Sequence, residues 1–305
     1  ILLNKRGYAS FIKCESCGEP IRCPHCDVTL TYHKAENRLK CHLCEYFTSV
    51  PQVCPECGST HLKKIGYGTQ KIEEELEKKY PDARIIRFDF ETTRNKNTHL
   101  KLLVDVEEHK ADIMLGTQMI AKGLDFSNVT FVGVLMADLS LMVPDFRASE
   151  RTFQLLCQVA GRSGRGDKQG TVMIQTFNPE HYAIKAAVKQ DYEAFFKEEM
   201  LFRKKAKYPP FCHLVSVIVQ SRTPKNVHLT ALDISKCLKE HLEKVRIIGP
   251  QPAFKMQDIY RERILIKYIE SKPIYEQLSL IDDYYNRTRK GGVIVACDFN
   301  PYSTY

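Results

Sequence analysis

Cys14-Glu15-Ser16-Cys17, Cys23-Pro24-His25-Cys26, Cys41-His42-Leu43-Cys44 and Cys54-Pro55-Glu56-Cys57-Gly58 place eight of the chain's twelve cysteines in four Cys-x-x-Cys pairs. Two thiolates separated by two residues grip one face of a zinc ion, and a second pair completes the tetrahedron. Four pairs therefore make two four-cysteine sites with nothing left over. Such a cysteine count would also suit disulfides in a small secreted domain. Pairs flanked by Pro and Gly, however, have the form of metal knuckles. Four sulfur ligands leave no open position for water, so two structural zinc ions are expected. His25, His33 and His42 lie nearby, and ordinary hydrogen bonding is their expected role. Thiolate coordination needs a reducing compartment, which points to the cytoplasm.

Spacing alone does not prove the pairing. Cys23/Cys26 and Cys41/Cys44 enclose a segment that reads as a hairpin, Val28 to Tyr32 followed by Asn37 to Lys40. That favours an inner site from the two middle pairs and an outer site from Cys14, Cys17, Cys54 and Cys57, in a nested arrangement. A module this small has little core of its own, so metal binding would supply much of its folding energy.

The whole chain has 305 residues, enough for two domains besides this module. Hydrophobic residues make up 43%, ample for ordinary cores, and no apolar run is long enough for a membrane helix. Ile1-Leu2-Leu3-Asn4-Lys5-Arg6 has no initiator Met and is too short for a signal peptide. It reads as a buried strand entered midway, so a fragment is expected. A net charge of +8 is compatible with a nucleic-acid partner without establishing one.

From Ile65 to about Asn178 strands and helices alternate. Helices are expected at Lys71 to Tyr80, Leu100 to His109 and Glu150 to Ala160. Strands are expected at Ala83 to Phe88, Ala111 to Gly116, Val129 to Leu135 and Gly170 to Thr176. This pattern predicts a parallel sheet with crossover helices. Ligands bind at the carboxyl ends of such strands. Two segments, Gly116 to Phe126 and Gln158 to Gly166, are read as falling there. In the second, Arg162 and Arg165 stand among glycines that allow close backbone approach. A guanidinium pair suits bidentate grip on phosphate oxygens, although the same composition also fits a solvated basic turn.

Gly116-Thr117-Gln118 through Asp125, followed by Gln158-x-x-Gly161-Arg162-x-Gly164-Arg165, resembles the fifth and sixth motifs of superfamily-two helicases. The Cys pairs stand between Leu3 to Ala9 and Gly66-Tyr67-Gly68-Thr69-Gln70. With that placement the chain is similar to the PriA family of replication-restart DNA helicases. Pro144-Asp145-Phe146-Arg147-Ala148-x-Glu150-Arg151, Tyr208-Pro209-Pro210-Phe211 and Gly249-Pro250-x-Pro252-Ala253 extend the match along nearly the full length. Lys5 stands where arginine is common in the family, and Ser163 where alanine is common.

The resemblance implies an α/β fold: a RecA-like helicase lobe (1–13 and 58–180), an inserted two-zinc module (14–57), a connecting helix (181–205) and an α+β domain (206–305). It implies a share in an ATP-dependent 3′-to-5′ helicase that recognises stalled or branched forks and initiates primosome assembly. Arg162 and Arg165 would act as arginine fingers, with Gln158 coupling nucleotide to lobe closure. Gly123, Asp125 and Gly161 would border the nucleotide. Thr117, Gln118, Gly68, Thr69 and Arg6 would contact DNA, although the turn at Gly66 to Thr69 reads equally well as a plain strand-to-helix connection. No Gly-x-x-x-x-Gly-Lys-Ser/Thr loop occurs in these residues. ATP and magnesium are therefore expected only in the full-length protein, and the fragment alone is expected to be inactive. Expected partners are forked and single-stranded DNA, single-strand-binding protein, other primosome proteins and the missing amino-terminal half. The implied location is the bacterial cytoplasm, at the nucleoid, with no membrane. A non-catalytic zinc-ribbon module binding DNA or protein is the competing reading. Asp138, Asp145, Arg147 and Arg151 read as a salt-bridge network fixing the lobe.

The last hundred residues carry fifteen Lys and Arg against ten Asp and Glu. His181 to Lys205 reads as one long helix with Ala183, Ile184, Ala187, Val188, Tyr192, Phe195 and Phe196 as its packing stripe. The basic run Arg203 to Lys207 ends it. Beyond lies an antiparallel sheet covered by helices Val227 to Val245 and Pro273 to Arg287, with Arg261 and Arg263 placed to touch DNA. Cys157, Cys212, Cys237 and Cys297 read as ordinary buried residues.

Overall fold

The computed structural model describes residues 1–3, 11–33, 36–41, 43–65, 69–88, 96–121, 129–161, 170–288 and 292–303. Its strands are β1 (Leu2–Leu3), β2 (Phe11–Cys14), β3 (Thr31–His33), β4 (Arg38–Lys40), β5 (Phe47–Ser49), β6 (Leu62–Ile65), β7 (Ile85–Phe88), β8 (Ile113–Gly116), β9 (Phe131–Leu135), β10 (Thr171–Ile174), β11 (His213–Ser221), β12 (Arg246–Met256), β13 (Ile259–Tyr268) and β14 (Ile294–Phe299). Its α-helices are α1 (Thr69–Lys79), α2 (Lys96–Glu107), α3 (Ala148–Ala160), α4 (Tyr182–Lys189), α5 (Tyr192–Ala206), α6 (Pro224–His241) and α7 (Ser271–Asp282). The chain divides into two compact units. One holds residues 1–10, 64–143 and 147–199; the other holds 11–63, 144–146 and 200–305. The segments 14–57 and 206–305 thus fall in the same unit.

The first unit is built on a five-stranded sheet of order β10-β9-β1-β8-β7. Every adjacent pair is parallel. Parallel strands need long crossovers, which the intervening helices provide. Leu2, Val132, Val134, Phe153, Leu156 and Ile184 form its buried core. From central β1 the chain goes out to edge strand β7, returns to β8 beside β1, then passes to β9 on the other side. The connection leaving β1 therefore steps toward β7, while those leaving its neighbours β8 and β9 step the opposite way, which makes the carboxyl end of β1 a topological switch point. Gly116 ends β8 where only glycine fits: an added Cβ would lie 2.3 Å from the Phe88 carbonyl oxygen. Asp112 accepts bonds from the Arg84 backbone N–H at 2.8 Å and its guanidinium at 2.9 Å, tying together the starts of β7 and β8.

The expected long helix at 181–205 is in fact two. Gln190 takes a left-handed conformation (φ 53°) that ends α4, and its N–H bonds back to Ala187 O at 3.1 Å. Asp191 then caps α5 by accepting from the Ala194 N–H at 2.9 Å. The break changes the facing of the apolar stripe. Ala183, Ile184, Ala187 and Phe195 are buried, whereas Val188, Tyr192 and Phe196 are 66%, 61% and 48% exposed.

In the second unit a four-stranded antiparallel sheet has the order β12-β13-β11-β14. Val215, Val217 and Val219 of β11 alternate inward and meet Ile264 and Ile266 of β13. Val227, Ala231, Ile234 and Leu238 of α6 join the same cluster, as do Ile274, Leu278 and Ile281 of α7. The two helices thus bury one face of the sheet. The second expected helix is shorter: α7 passes into a π-helical turn at Asp283–Arg287. The cysteine-rich part of the unit holds a three-stranded sheet, β3-β4-β5, and a ribbon, β2-β6. Ile12, Ile21, Leu30 and Leu39 are its small core, packed beside Cys23, Cys26 and Cys41.

Candidate metal centres

The eight paired cysteines form two sets. Cys14, Cys17, Cys54 and Cys57 make one, and Cys23, Cys26, Cys41 and Cys44 the other; within each set all Sγ atoms lie within 4.8 Å of one another. A tetrahedral zinc with bonds of about 2.3 Å has sulfur–sulfur edges of about 3.8 Å. Cys14 to Cys57 is 3.6 Å, Cys17 to Cys54 is 3.7 Å and Cys23 to Cys44 is 3.6 Å. These are metal-site edges, far longer than the ~2.05 Å of a disulfide bond. Both sets are consistent with structural zinc ions, in the nested pairing that the hairpin favoured.

The backbone explains why each pair can converge. Gly18, Glu45 and Gly58 follow their knuckles in the left-handed region (φ 82°, 62° and 72°). Each returns its N–H to the first cysteine's carbonyl, at 3.0, 3.0 and 2.9 Å respectively. Amides also point at sulfur. The Cys17 amide, helped by that of Ser16, draws the Cys14 thiol down to about 6. Burial alone would raise Cys41, but the amides of Cys44 and Leu43 outweigh it and leave that thiol lowered. Burial pushes Cys23 up to about 12. Cysteine ligands bind metal as thiolates, so metal binding releases protons. Among the described residues neither His25 nor His33 joins a set. His25 Nδ1 instead meets Asp258 Oδ2 at 2.7 Å.

In the first unit, Thr117 and Gln118 are partly buried directly after β8 and open a 3-10 turn, Gln118–Ala121. They stand at a carboxyl strand end, beside the switch point. Thr69 is buried at the first residue of α1. Gln158, partly buried, lies in the last turn of α3, and exposed Gly161 is its C-cap. Both belong to the end of α3, so the described part of the second segment follows a helix. Arg6, Gly68, Gly123, Asp125, Arg162 and Arg165 lie outside the described residues.

Asp138 follows β9 and is buried. Its carboxylate accepts from Thr176 Oγ1 at 2.7 Å, the Phe177 N–H at 2.9 Å and the Asn178 N–H at 3.2 Å. Burial would raise its pKa, yet these bonds outweigh it and hold the carboxyl below its ordinary value. The three donors to Asp138 are neutral, and they tie the ends of β9 and β10 together. Arg261 Nε bonds to Gln220 Oε1 at 3.0 Å, so that guanidinium is engaged within the sheet.

A parallel α/β unit and a module with two four-cysteine sets define the class: a mixed α/β protein with a cysteine-rich zinc module. Two family models match, the PriA DNA helicase Cys-rich region domain over residues 23–47 and the primosomal protein N C-terminal domain over residues 204–302. The chain is 47% identical to the replication restart protein PriA of Bacillus subtilis over 99% of its own length and 38% of that protein. It is 43% identical to the PriA of Chlamydia pneumoniae over 91% of its length, again covering 38% of the relative. For the PriA of Synechocystis the identity is 42%, over 88% of the chain and 33% of the relative. The chain belongs to the PriA family and spans well under half the length of these relatives, matching their carboxyl-terminal part. Among the described residues no helix is long and apolar enough to cross a membrane.

Proposed function

We propose that this chain is the carboxyl-terminal part of a replication-restart helicase, and that its first unit is the RecA-like second motor lobe. Similarity to PriA proteins along nearly the whole chain carries the reading. The switch point of the parallel sheet supports it, because Thr117 and Gln118 leave β8 beside that point. On this reading the parent is an ATP-dependent 3′-to-5′ DNA helicase. It acts at stalled or branched forks and starts primosome assembly with single-strand-binding protein and other primosome proteins, in the bacterial cytoplasm at the nucleoid.

The residue roles follow from chemistry. Thr117, Gln118, Thr69, Gly68 and Arg6 hold phosphates of one DNA strand through hydroxyls, amides and a guanidinium. Arg162 and Arg165 neutralise charge on the phosphoryl group transferred from ATP, which with its magnesium is bound mainly by the other lobe. Gln158 couples that event to lobe closure, while Gly123, Asp125 and Gly161 border the nucleotide. The two zinc ions stiffen segment 14–57, and segment 206–305, with α4 and α5 before it, contacts DNA and partners.

The test is ATP-dependent strand separation on forked DNA by the full-length protein and its Q158A and T117A/Q118A variants. Loss of separation with retained zinc content is the expected result. Unchanged separation in both variants would refute the motor roles. It would favour the second reading, a non-catalytic module, which the grouping of cysteine-rich and C-terminal segments in one unit recommends.

A further inference from the structure

Three of the four knuckles are closed by their own next residue; the fourth is not. After Cys23-Pro24-His25-Cys26, the Asp27 N–H bonds to Lys255 O at 3.0 Å, in the β12–β13 hairpin. The sulfur donors differ in the same way. Two residues beyond Cys17 and Cys57, the amides of Glu19 and Ser59 donate to those sulfurs. The corresponding amide beyond Cys26, that of Val28, is taken by the Cys26 carbonyl at 2.8 Å. Cys26 Sγ receives its hydrogen bond from the Gln257 N–H instead, at 3.3 Å.

The hairpin tip is fastened at several further points. Asp27 Oδ2 accepts the Lys255 N–H at 2.7 Å, and Lys255 Nζ donates to Pro24 O at 3.1 Å. The Asp258 N–H donates to His25 O at 3.0 Å, and the two side chains meet at 2.7 Å. Met256 packs on the module's small core. Gln257 and Asp258 form the two-residue turn between paired Met256 and Ile259, both left-handed (φ 54° and 58°). Such turns favour Asn and Gly. A glutamine there is held against its preference, in the conformation that aims its amide at the sulfur.

We infer that the tip of the β12–β13 hairpin is a non-ligating part of the inner metal site, taking up the Asp27 amide and supplying the Cys26 Sγ donor that the Cys23/Cys26 knuckle does not provide for itself. Two consequences follow. The inner zinc is retained by residues from opposite ends of the chain, whereas the outer zinc is retained locally. Release of the inner zinc also frees the hairpin tip. The inference rests on zinc occupying the inner set.

The experiment follows zinc release from the intact, zinc-loaded chain to a chromophoric chelator, with thiol alkylation and mass spectrometry assigning each phase to its cysteines. Variant D27A/D258A removes the side-chain fastenings. The control S16A removes the Ser16–Ser59 bond (2.7 Å) beside the outer set. Loss of hydrogen-bond partners around metal ligands typically costs about 10- to 100-fold in metal affinity. Release of one zinc equivalent, mapped to Cys23, Cys26, Cys41 and Cys44, is expected to accelerate on that scale in D27A/D258A, with the other equivalent unchanged. Unchanged release, or acceleration mapped to the outer cysteines, overturns the inference. A chain that binds no zinc also overturns it, but shows up separately as zero stoichiometry. If the variant does not fold, hydrogen exchange on the unaltered chain decides. Stripping the inner zinc should expose the amides of Asp27, Gln257 and Asp258 while those of β11 stay protected. Continued protection at 257 and 258 contradicts it.

Discussion

The ring of Phe146 lies flat against that of Tyr208, with centroids 4.8 Å apart and planes 9° from parallel. The Arg203 guanidinium sits over Phe146 at 5.1 Å, and Lys267 Nζ over Tyr208 at 3.2 Å. Lys267 is almost fully buried and also donates to Ala206 O at 2.9 Å. Two short motifs far apart in sequence, at Pro144 and at Tyr208, are thereby joined inside the second unit by aromatic stacking between two cations.

This stack should be measurable as stability. F146A and Y208A are each expected to destabilise the second unit by about 1–3 kcal/mol, since both rings are half-buried. The double variant should reveal a coupling of about 1 kcal/mol, the part belonging to the ring pair. Urea unfolding of the zinc-loaded chain reads both numbers. Strict additivity of the two substitutions would show that the rings only fill space.

Asp138 makes the first unit acid-sensitive. Its carboxyl is held below the ordinary value of 3.8, so its contribution is complete above the unfolded value and is lost as pH falls through the folded one. Thermal unfolding of D138N should therefore show lower stability than the parent at neutral pH. An unsatisfied amide or hydroxyl would cost about 1–3 kcal/mol. The gap should close below about pH 4. A gap that persists unchanged to pH 2 would mean the carboxylate charge is irrelevant.

The two metal sets should be separable. C57S is expected to lower zinc content from two equivalents to one while leaving the inner ion in place, and C44S the reverse. Zinc uptake should release protons and weaken as pH falls, because the ligands must ionise. Elemental analysis and proton-release titration check this. Loss of both ions from either single substitution would contradict two independent four-sulfur sites.

Much of this was legible because its signals are local. Cys-x-x-Cys spacing is set by one turn of chain, and the hairpin between Cys26 and Cys41 brought the middle pairs together. The strands were read within a few residues because apolar runs such as Phe131–Leu135 reflect burial on both faces. What was not legible depends on distant partners. Met256-Gln257-Asp258-Ile259 marks a left-handed turn only weakly, through Asp258, since glycine and asparagine are absent, and its partner Cys26 is remote in sequence. The helix break at Gln190 was hidden because Val188, Tyr192 and Phe196 continue an apolar spacing across it. Asp138 looked like a salt-bridge residue because carboxylates among arginines suggest ion pairs; its real donors are a hydroxyl and two amides of the next strand's end.

The central claim, that these residues are one lobe of a two-part motor, is tested most directly by DNA-stimulated ATP hydrolysis. Three proteins should be compared: this 305-residue chain, the full-length protein, and full-length R162A/R165A. The expected result is no turnover by the chain, turnover by the full-length protein, and a loss of about 10³-fold or more in the double variant. ATP hydrolysis by the 305-residue chain at the full-length rate, or full activity in R162A/R165A, would contradict it.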